Sequence, residues 1–175
     1  MKNIFYTSDT HFFHNNIIKY CPNSRGQFNN VEEMNEAIIA AWNDKVTDHD
    51  IVYHLGDVSF SNIENTAKIL SRLNGKINLI PGNHDKPRLI ANTNISTVLP
   101  QYCEIKDGKQ FFILCHYPIL SWNGQSYGAI HLHGHTHGTL AKYHNNALDV
   151  GIDARPNYDL SPWEQSELIE YIRGL

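Results

Sequence analysis

The chain has 175 residues, of which 41% are hydrophobic and 18% charged, a composition typical of a folded globular protein. No apolar run approaches the roughly 20 residues that span a bilayer. The first residues, MKNIFYTSDTH, lack the apolar region and cleavage site of a signal peptide. The formal net charge is −4, and no long cluster of Lys or Arg suggests a groove for duplex nucleic acid. We therefore expect one domain over residues 1–175, with no duplex nucleic acid or membrane as a partner and with the oligomeric state left open.

The three cysteines argue against a disulfide framework. Cys21, Cys103 and Cys115 are odd in number and widely spaced. Disulfides are rare in reducing compartments, so this usage favours the cytoplasm. The chain also lacks a C-x-x-C pair, so we do not expect a structural zinc site.

Strand-length apolar runs rich in Ile, Val, Phe and Tyr recur along the chain, and each leads into polar residues. Five of them are residues 4–6, 51–55, 77–80, 111–115 and 129–133. The Asp107-Gly108 pair, which lies between apolar segments, predicts a hairpin turn.

Helical patterns alternate with these strands in the first half of the chain. Residues 30–42 begin with Asn30, an N-cap residue type, and carry Glu33 three positions later. Residues 63–73 repeat the pattern and are followed by Asn74-Gly75, a helix-stop signal. Ser161-Pro162-Trp163-Glu164 predicts the start of a last helix. The order β-α-β-α-β, followed by a half richer in strands, indicates an α/β protein with a mixed sheet or two stacked sheets.

The stretch HLHGHTHG, residues 131–138, places four of the eleven histidines at every second position. Alternate residues of a strand share a face, so the run could be an ordinary strand that uses His as a polar residue. Imidazole is also the commonest metal ligand among side chains. The run alone does not decide between these interpretations.

Polar residues of metal-ligand type follow all five strand-length runs. In α/β proteins, functional sites form beyond the carboxyl ends of the strands. The seven candidate metal ligands are Asp9, His11, Asp57, Asn83, His116, His135 and His137. Seven donors exceed the four that one tetrahedral zinc takes, and they suit two divalent ions that share a carboxylate. The mixture of imidazole, carboxylate and amide fits Mn, Fe, Zn, Ni or Co better than Mg or Ca, and we favour manganese.

Five motifs occur in the order D-x-H (9–11), G-D (56–57), G-N-H-D (82–85), a lone His116 and G-H-x-H (134–137). This series resembles the signature of the calcineurin-like metallophosphoesterases and spans about residues 4–153. SDTHFFH, LHGHTHG and LDVGID further resemble a compact bacterial or phage-type branch. The resemblance implies two stacked mixed β-sheets flanked by helices, in a four-layer sandwich.

The resemblance also implies a role for each site residue. Asp9, His11 and His137 would hold one metal, and Asp57 would bridge it to the other. Asn83, His116 and His135 would hold the second metal.

The two remaining site residues belong to the same G-N-H-D motif. His84 would act beside the leaving-group oxygen, as the catalytic histidine. Asp85 would either orient His84 or cap a following helix, and the sequence leaves both roles open.

The implied reaction is hydrolysis of a phosphate ester by hydroxide, which two cations make available near neutral pH. Some relatives carry His or Asp a few residues after G-D, whereas this chain has Ser59, Phe60 and Ser61. That departure favours a phosphodiester of a small or nucleotide-like molecule over a monoester. The alternatives are a metal-dependent nuclease on single-stranded nucleic acid and a non-catalytic metal-binding scaffold.

Several further polar residues have a structural and a functional interpretation. His131 and His133 are more readily explained as satisfied strand residues than as substrate contacts. His14 is a candidate for the mouth of the site. Arg25 and Arg155 would either hold a second phosphate or lie on the solvated surface.

Overall fold

The computed structural model describes residues 2–86 and 95–174, which form two mixed β-sheets with flanking helices. The first sheet has the order β4-β3-β2-β1-β9, in which β1 to β4 are parallel and β9 is antiparallel to β1. Its strands are β1 (Ile4–Thr7), β2 (Ile51–His54), β3 (Lys76–Leu79), β4 (Thr97–Val98) and β9 (Trp163–Glu164). All five predicted strand runs begin and end within one residue of observed strands, and the run 77–80 is shifted by one residue at both ends.

The second sheet has the order β5-β6-β7-β8, with β5 and β6 antiparallel and the other pairs parallel. Its strands are β5 (Tyr102–Asp107), β6 (Gln110–Cys115), β7 (Ile130–His133) and β8 (Ala147–Asp149). The predicted hairpin turn is confirmed between β5 and β6, where Gly108 has a φ of +57°. A parallel bridge between Ser8 and Gly151 joins the two sheets at the carboxyl ends of β1 and β8.

In the first half of the chain, helices connect β1 to β2 and β2 to β3. They are α1 (Ile17–Tyr20), α2 (Pro22–Arg25), α3 (Val31–Lys45) and α4 (Ile63–Leu70), and α5 (Gln165–Gly174) ends the described chain. The side chain of Asn30 caps α3 by accepting from Glu33 N, as the sequence predicts. Helix α4 ends at Leu70 rather than at residue 73.

Two large apolar cores define the layers of the fold. One core lies between the first sheet and its helices and contains Met34, Trp42 and Val52. The second contains Tyr6, Phe112 and Leu132, which belong to β1, β6 and β7 of the two sheets. A smaller cluster around Ile113 and Trp122 packs against the second sheet.

The predicted start of the last helix is wrong. Trp163 and Glu164 form strand β9, which pairs with Tyr6 and Phe5, and α5 begins only at Gln165. The Trp163 ring also lies 4.0 Å from the Arg155 guanidinium and is 2% exposed. These tertiary contacts outweigh the local helix-start signal.

In the part of the chain that the structure describes, no helix is long and apolar enough to cross a membrane. The three cysteines are free. The single-domain assignment over residues 1–175 stays a prediction.

Candidate metal centre

The strand ends bring the predicted ligands into two adjacent clusters. In the first cluster, one ligand atom each of Asp9, His11 and His137 lies within 4.8 Å of the others. In the second cluster, Asp57, His116 and His135 meet the same limit. Loops after β1, β2, β6 and β7 supply these side chains, as expected for a site beyond the carboxyl ends of parallel strands.

Asp57 lies between the two clusters. Its Oδ2 atom is 3.7 Å from His11 Nε2 and 3.5 Å from His116 Nε2. Its other oxygen, Oδ1, accepts a hydrogen bond of 2.8 Å from His84 N, which fixes the carboxylate. One carboxylate oxygen therefore faces both clusters.

The first cluster contains buried polar atoms without hydrogen-bond partners. Among the described residues these include Asp9 Oδ1 and both ring nitrogens of His11. Asp9 is 0% exposed and His11 is 3% exposed, so bulk water has little access to these unpaired atoms. Unpaired buried polar atoms are costly, and a cation bound by these donors would remove that cost. The residues therefore fit a metal ion.

His137 is held by a buried ionic network. Its Nδ1 atom lies 2.7 Å from Asp153 Oδ2, and Asp153 in turn pairs with Arg25 through bonds of 2.7 and 2.8 Å. Burial acts to raise the pKa of Asp153, but the hydrogen bonds from Arg25 and His137 outweigh burial and hold that pKa below its usual range. For His137, burial acts to lower the pKa, whereas hydrogen bonds to Asp153 and Cys21 raise it to about 10. A carboxylate behind a ligating imidazole fixes the ring and makes it more basic.

The second cluster is oriented by neutral groups. His116 Nδ1 lies 2.7 Å from Leu55 O and donates to that carbonyl, so Nε2 carries the lone pair of the neutral ring. This Nε2 atom faces Asn83 Oδ1 at 3.0 Å and Asp57 Oδ2 at 3.5 Å. Three electron-pair donors that converge on one point suit a cation. Asn83 therefore joins the second cluster.

Backbone strain coincides with the predicted ligands. Non-glycine residues rarely adopt positive φ angles, and such angles concentrate at functional sites. Five of the candidate ligands have φ between 48° and 68°, namely Asp9, His11, Asp57, His135 and His137. Surrounding hydrogen bonds stabilise these strained backbone conformations, including one from His135 N to Asp9 Oδ2.

Two motif glycines allow the close approach of neighbouring loops. Gly56 has a φ of +95°, and a Cβ atom there would overlap Gly82 N. A Cβ atom on Gly134 would overlap Ser8 Oγ and the Asp9 carboxylate. The glycines of the G-D and G-H-x-H motifs are therefore required sterically.

Asp85 has a position that neither sequence interpretation included. Its carboxylate accepts from the backbone N–H groups of Asp57, Val58 and Gly82 at 2.7 to 3.0 Å. These bonds position the turn that carries Asp57, and the prediction that Asp85 belongs to the catalytic residues stays a prediction. The predicted alternative as a helix cap concerns residues 87–94, which lie outside the described residues.

The His84 side chain is exposed beside the two clusters. Its ring lies 6.0 Å from the His11 ring and 4.6 Å from the Phe60 ring, measured between centroids. It lines the same groove as His11, His135 and His137. This placement leaves the His84 ring free to meet a molecule that approaches from solvent.

The other histidines and arginines singled out from the sequence differ in how far the structure agrees with a structural or a functional role. His131 is buried and hydrogen-bonded to Ile113 O and Ile119 N, and His133 bonds Gly134 O, so both are satisfied strand residues. His14 lines the groove, as its candidate role requires. For the two arginines, both sequence interpretations are wrong, because Arg25 and Arg155 are 0% and 3% exposed and pair with carboxylates.

The residues behind the ligands are those that the sequence analysis missed. Asp153 orients His137, and Asp149 accepts from Thr136 Oγ1 at 2.6 Å and from Gly138 N at 3.0 Å, which fixes the loop between His135 and His137. Asp149 is the last residue of β8 and Asp153 follows it, so β8 is a sixth strand that ends at the site. The rule of polar residues at strand ends would have found them if β8 had been predicted.

Comparisons with known proteins agree with this geometry. A family model described as calcineurin-like phosphoesterase matches residues 2–125. An uncharacterized protein of Methanocaldococcus jannaschii is 43% identical over 141 residues, which cover 78% of this chain and 70% of the relative. The Gene 66 protein of Mycobacterium phage L5 is 27% identical over 187 residues, 88% of each chain.

A solved structure supports the fold. A protein of unknown function from Aquifex aeolicus superposes with a TM-score of 0.77 over 98% of this chain and 100% of its own, at 22% identity. The chain belongs to the calcineurin-like phosphoesterase family. Membership makes it a hydrolase of phosphoesters that depends on divalent metal ions, and the residue clusters described above could hold such ions.

Proposed function

We propose that the protein is a dinuclear metal-dependent phosphodiesterase that acts on small or nucleotide-like substrates. The observation that carries the proposal is the position of Asp57 Oδ2, 3.7 Å from His11 Nε2 and 3.5 Å from His116 Nε2. A carboxylate oxygen between two clusters of imidazole and carboxylate donors suits a pair of cations better than a single one.

Each cluster supplies its own donors to the proposed metal pair. Asp9, His11 and His137 would hold one ion, Asn83, His116 and His135 the other, and Asp57 both. The donor set is mixed nitrogen and oxygen, which suits Mn, Fe, Zn, Ni or Co, and we propose manganese among them. When bound, two such ions would lower the pKa of a shared water and offset the charge of the phosphoryl oxygens.

The chain itself would place a proton donor on the leaving-group side. The hydrogen bond from His84 N to Asp57 Oδ1 ties the backbone of His84 to the centre of the site, while its ring remains exposed. A phosphoester held at the two clusters would present its departing oxygen to this ring. The protonated His84 ring would then donate its proton to that oxygen, which leaves as an alcohol.

The preference for diesters rests on Phe60. This residue follows the G-D motif and stacks near His84, His11 and His14, with ring centroids 4.6, 5.1 and 4.0 Å away. An apolar ring cannot pair with the second negative charge that a phosphomonoester carries. A phosphodiester, which has one charge, lacks that requirement.

Hydrolysis assays of two chromogenic esters test the proposal. The metal-free protein is reloaded with Mn²⁺ and given bis(p-nitrophenyl) phosphate or p-nitrophenyl phosphate, with His84→Ala as the matched variant. We expect Mn²⁺-dependent hydrolysis that is faster for the diester. His84→Ala should lose about 10²–10⁴-fold in turnover and keep its metals.

Other outcomes would replace the proposal with a defined alternative. Hydrolysis confined to single-stranded oligonucleotides, with a steep dependence on salt, would indicate a nuclease. A folded, Mn²⁺-loaded protein without hydrolysis would support a non-catalytic scaffold. Loss of both metals in His84→Ala would contradict the role given to His84.

We also propose that the protein works in the cytoplasm. The support is the three free cysteines, Cys21, Cys103 and Cys115. Unpaired thiols are typical of reducing compartments. Fractionation of cells that express the chain with an epitope tag would test the location.

A further inference from the structure

A groove of 740 Å³ opens beside the two clusters. Its lining includes His11, His135 and His137 of the candidate metal centre. Next to them lie His14, Tyr20 and Phe60, which we call the aromatic wall, with the rings of Phe60 and His14 5.1 and 5.4 Å from the His11 ring between centroids. Because His84 also lines the groove and lies next to Phe60, the wall begins where the leaving group of a bound ester would emerge.

The rings of the wall are packed face to face and edge to face. His14 and Phe60 stack with centroids 4.0 Å apart and planes 9° from parallel. Tyr20 meets His14 edge-on at 6.1 Å. Tyr20 is 68% exposed and Phe60 is 38% exposed, although large apolar side chains are usually buried. The mutual stacking fixes the orientation of these rings without covering them.

The residue types that line the groove bear on the kind of molecule that it can bind. Among the described residues that line it, none is Lys, Arg, Asp or Glu. Outside the metal centre, the lining therefore offers aromatic faces and short apolar or hydroxyl side chains. Such a surface can stack on a flat uncharged ring, and it has no Lys or Arg to pair with a second phosphate.

We propose that the aromatic wall binds the flat, uncharged aromatic part of the leaving group, such as a nucleobase or an aryl ring. The inference rests on the proposed phosphodiesterase function and adds to it the chemical class of the group that departs. Stacking on an aromatic side chain is sequence-tolerant, so the wall selects a ring rather than one particular base. A chain of further phosphates would find no Lys or Arg among the described lining residues.

Two substrates with matched leaving-group acidity separate ring recognition from chemical reactivity. Methyl phenyl phosphate releases a flat aromatic alcohol, and methyl hexafluoroisopropyl phosphate releases an aliphatic alcohol of similar acidity. For the Mn²⁺-loaded protein we expect kcat/KM to be about 10- to 100-fold higher for the phenyl ester. Phe60→Leu, which keeps an apolar side chain without a ring, should bring the ratio close to one.

A control variant and a binding measurement complete the test. Tyr127 is 95% exposed and lies outside the lining of the groove, so Tyr127→Leu should leave the ratio unchanged. Binding of adenosine and of ribose to the Mn²⁺-loaded protein is measured by calorimetry, which needs no turnover. We expect adenosine to bind, ribose to bind at least about tenfold more weakly, and Phe60→Leu to remove the difference.

The results distinguish failure of the inference from failure of the proposed function. Equal kcat/KM for the two esters, or a ratio that Phe60→Leu does not change, would overturn the inference while the phosphodiesterase function stands. Absence of hydrolysis of bis(p-nitrophenyl) phosphate would count against the proposed function. In that case Phe60-dependent adenosine binding would still support the wall, and its absence would overturn it.

Discussion

The two ligand clusters use similar donors but are supported in different ways. In the first cluster, a carboxylate stands behind His137, and that carboxylate, Asp153, is itself paired with the fully buried Arg25. In the second cluster, His116 is oriented by a backbone carbonyl, that of Leu55. His137 is therefore supported by buried charges and His116 by a neutral backbone group.

The clusters also differ in the exposure of some of their donors, although Asp57 and His116 of the second cluster are buried. Asp9 and His11 are buried, and several of their donor atoms lack partners, whereas His135 and Asn83 of the second cluster are exposed. A carboxylate-backed imidazole is the stronger ligand, and loss of such a carboxylate typically costs 10- to 100-fold in metal affinity. We therefore expect the first cluster to hold its ion more tightly and the second to exchange its ion more readily.

The largest expected effect comes from Asp153→Asn, which removes the charge behind the first cluster. Arg25 would be left buried without its partner, and such a loss costs about 3–5 kcal/mol of unfolding free energy. Affinity for the more tightly bound Mn²⁺ should also fall by about 10- to 100-fold. Chemical denaturation of the metal-free protein and Mn²⁺ titration measure the two effects.

The matched control is Asp159→Asn, which weakens a more exposed ion pair. The Asp159 side chain is 38% exposed and pairs with Arg155 and Lys45. We expect a loss of about 1 kcal/mol or less and no change in Mn²⁺ affinity. Equal losses in the two variants would show that the buried network is not what distinguishes the first cluster.

The second cluster should depend on Asp85 rather than on a buried ion pair. The Asp85 carboxylate accepts from three backbone N–H groups around Asp57, and an amide would direct an NH₂ group at one or more of them. Asp85→Asn should cost about 1.5–3 kcal/mol. It should weaken the more weakly bound Mn²⁺ first, since it also frees Gly82, which directly precedes Asn83 of the second cluster.

Denaturation and Mn²⁺ titration again provide the measurement, with the exposed Asp48→Asn as control. Stability unchanged within the error of the control would mean that the three backbone bonds do not hold the turn. Loss of only the tightly bound ion would contradict the assignment of Asp85 to the second cluster.

The pH dependence of stability should report the network of the first cluster. The pKa of Asp153 is lowered in the folded protein from its ordinary value of 3.8. Stability from this carboxylate is therefore complete above pH 3.8 and is lost as the pH falls toward the folded pKa. Denaturation of metal-free protein between pH 5 and pH 3 should show the onset of this loss, and Asp153→Asn should show a shallower slope. A parallel slope in the variant would exclude Asp153 as its source.

The smallest effect is expected where one side chain supports both clusters. Thr136 donates to Asp149 at 2.6 Å and lies between His135 and His137. Thr136→Val should cost about 1 kcal/mol and weaken both ions to a similar extent. The exposed Thr97→Val provides the control. Selective weakening of one ion would show that the two histidines move independently.

Five strands and the gathering of the candidate ligands at their ends could be predicted because the apolar runs and the polar residues after them are local patterns. Apolar runs that end in Asp or His fix the strands, and parallel pairing then brings their ends together. Strand β9 could not be predicted, because the pairing of Trp163 with Tyr6 joins residues far apart in the chain and overrides a helix-start signal. The pairing of Arg25 with Asp153 is equally non-local, so both side chains appear in the sequence as ordinary charged residues.

The role of Asp85 shows a further limit of sequence reasoning. Its place in the G-N-H-D motif suggests a partner for His84, but the fold directs its carboxylate at backbone amides near Asp57. Hydrogen bonds between two loops depend on their approach in space. That approach depends in turn on glycines such as Gly56, whose positive φ brings its loop against Gly82.

The most direct test of the central claim is the number of Mn²⁺ ions that the chain binds. Equilibrium dialysis followed by elemental analysis would be applied to the wild-type protein, to His137→Ala and to His116→Ala. The two-cluster geometry predicts two ions in the wild type and one in each variant, with the tighter ion lost in His137→Ala. One ion or fewer in the wild type, or two ions retained in both variants, would contradict a dinuclear centre built from these clusters.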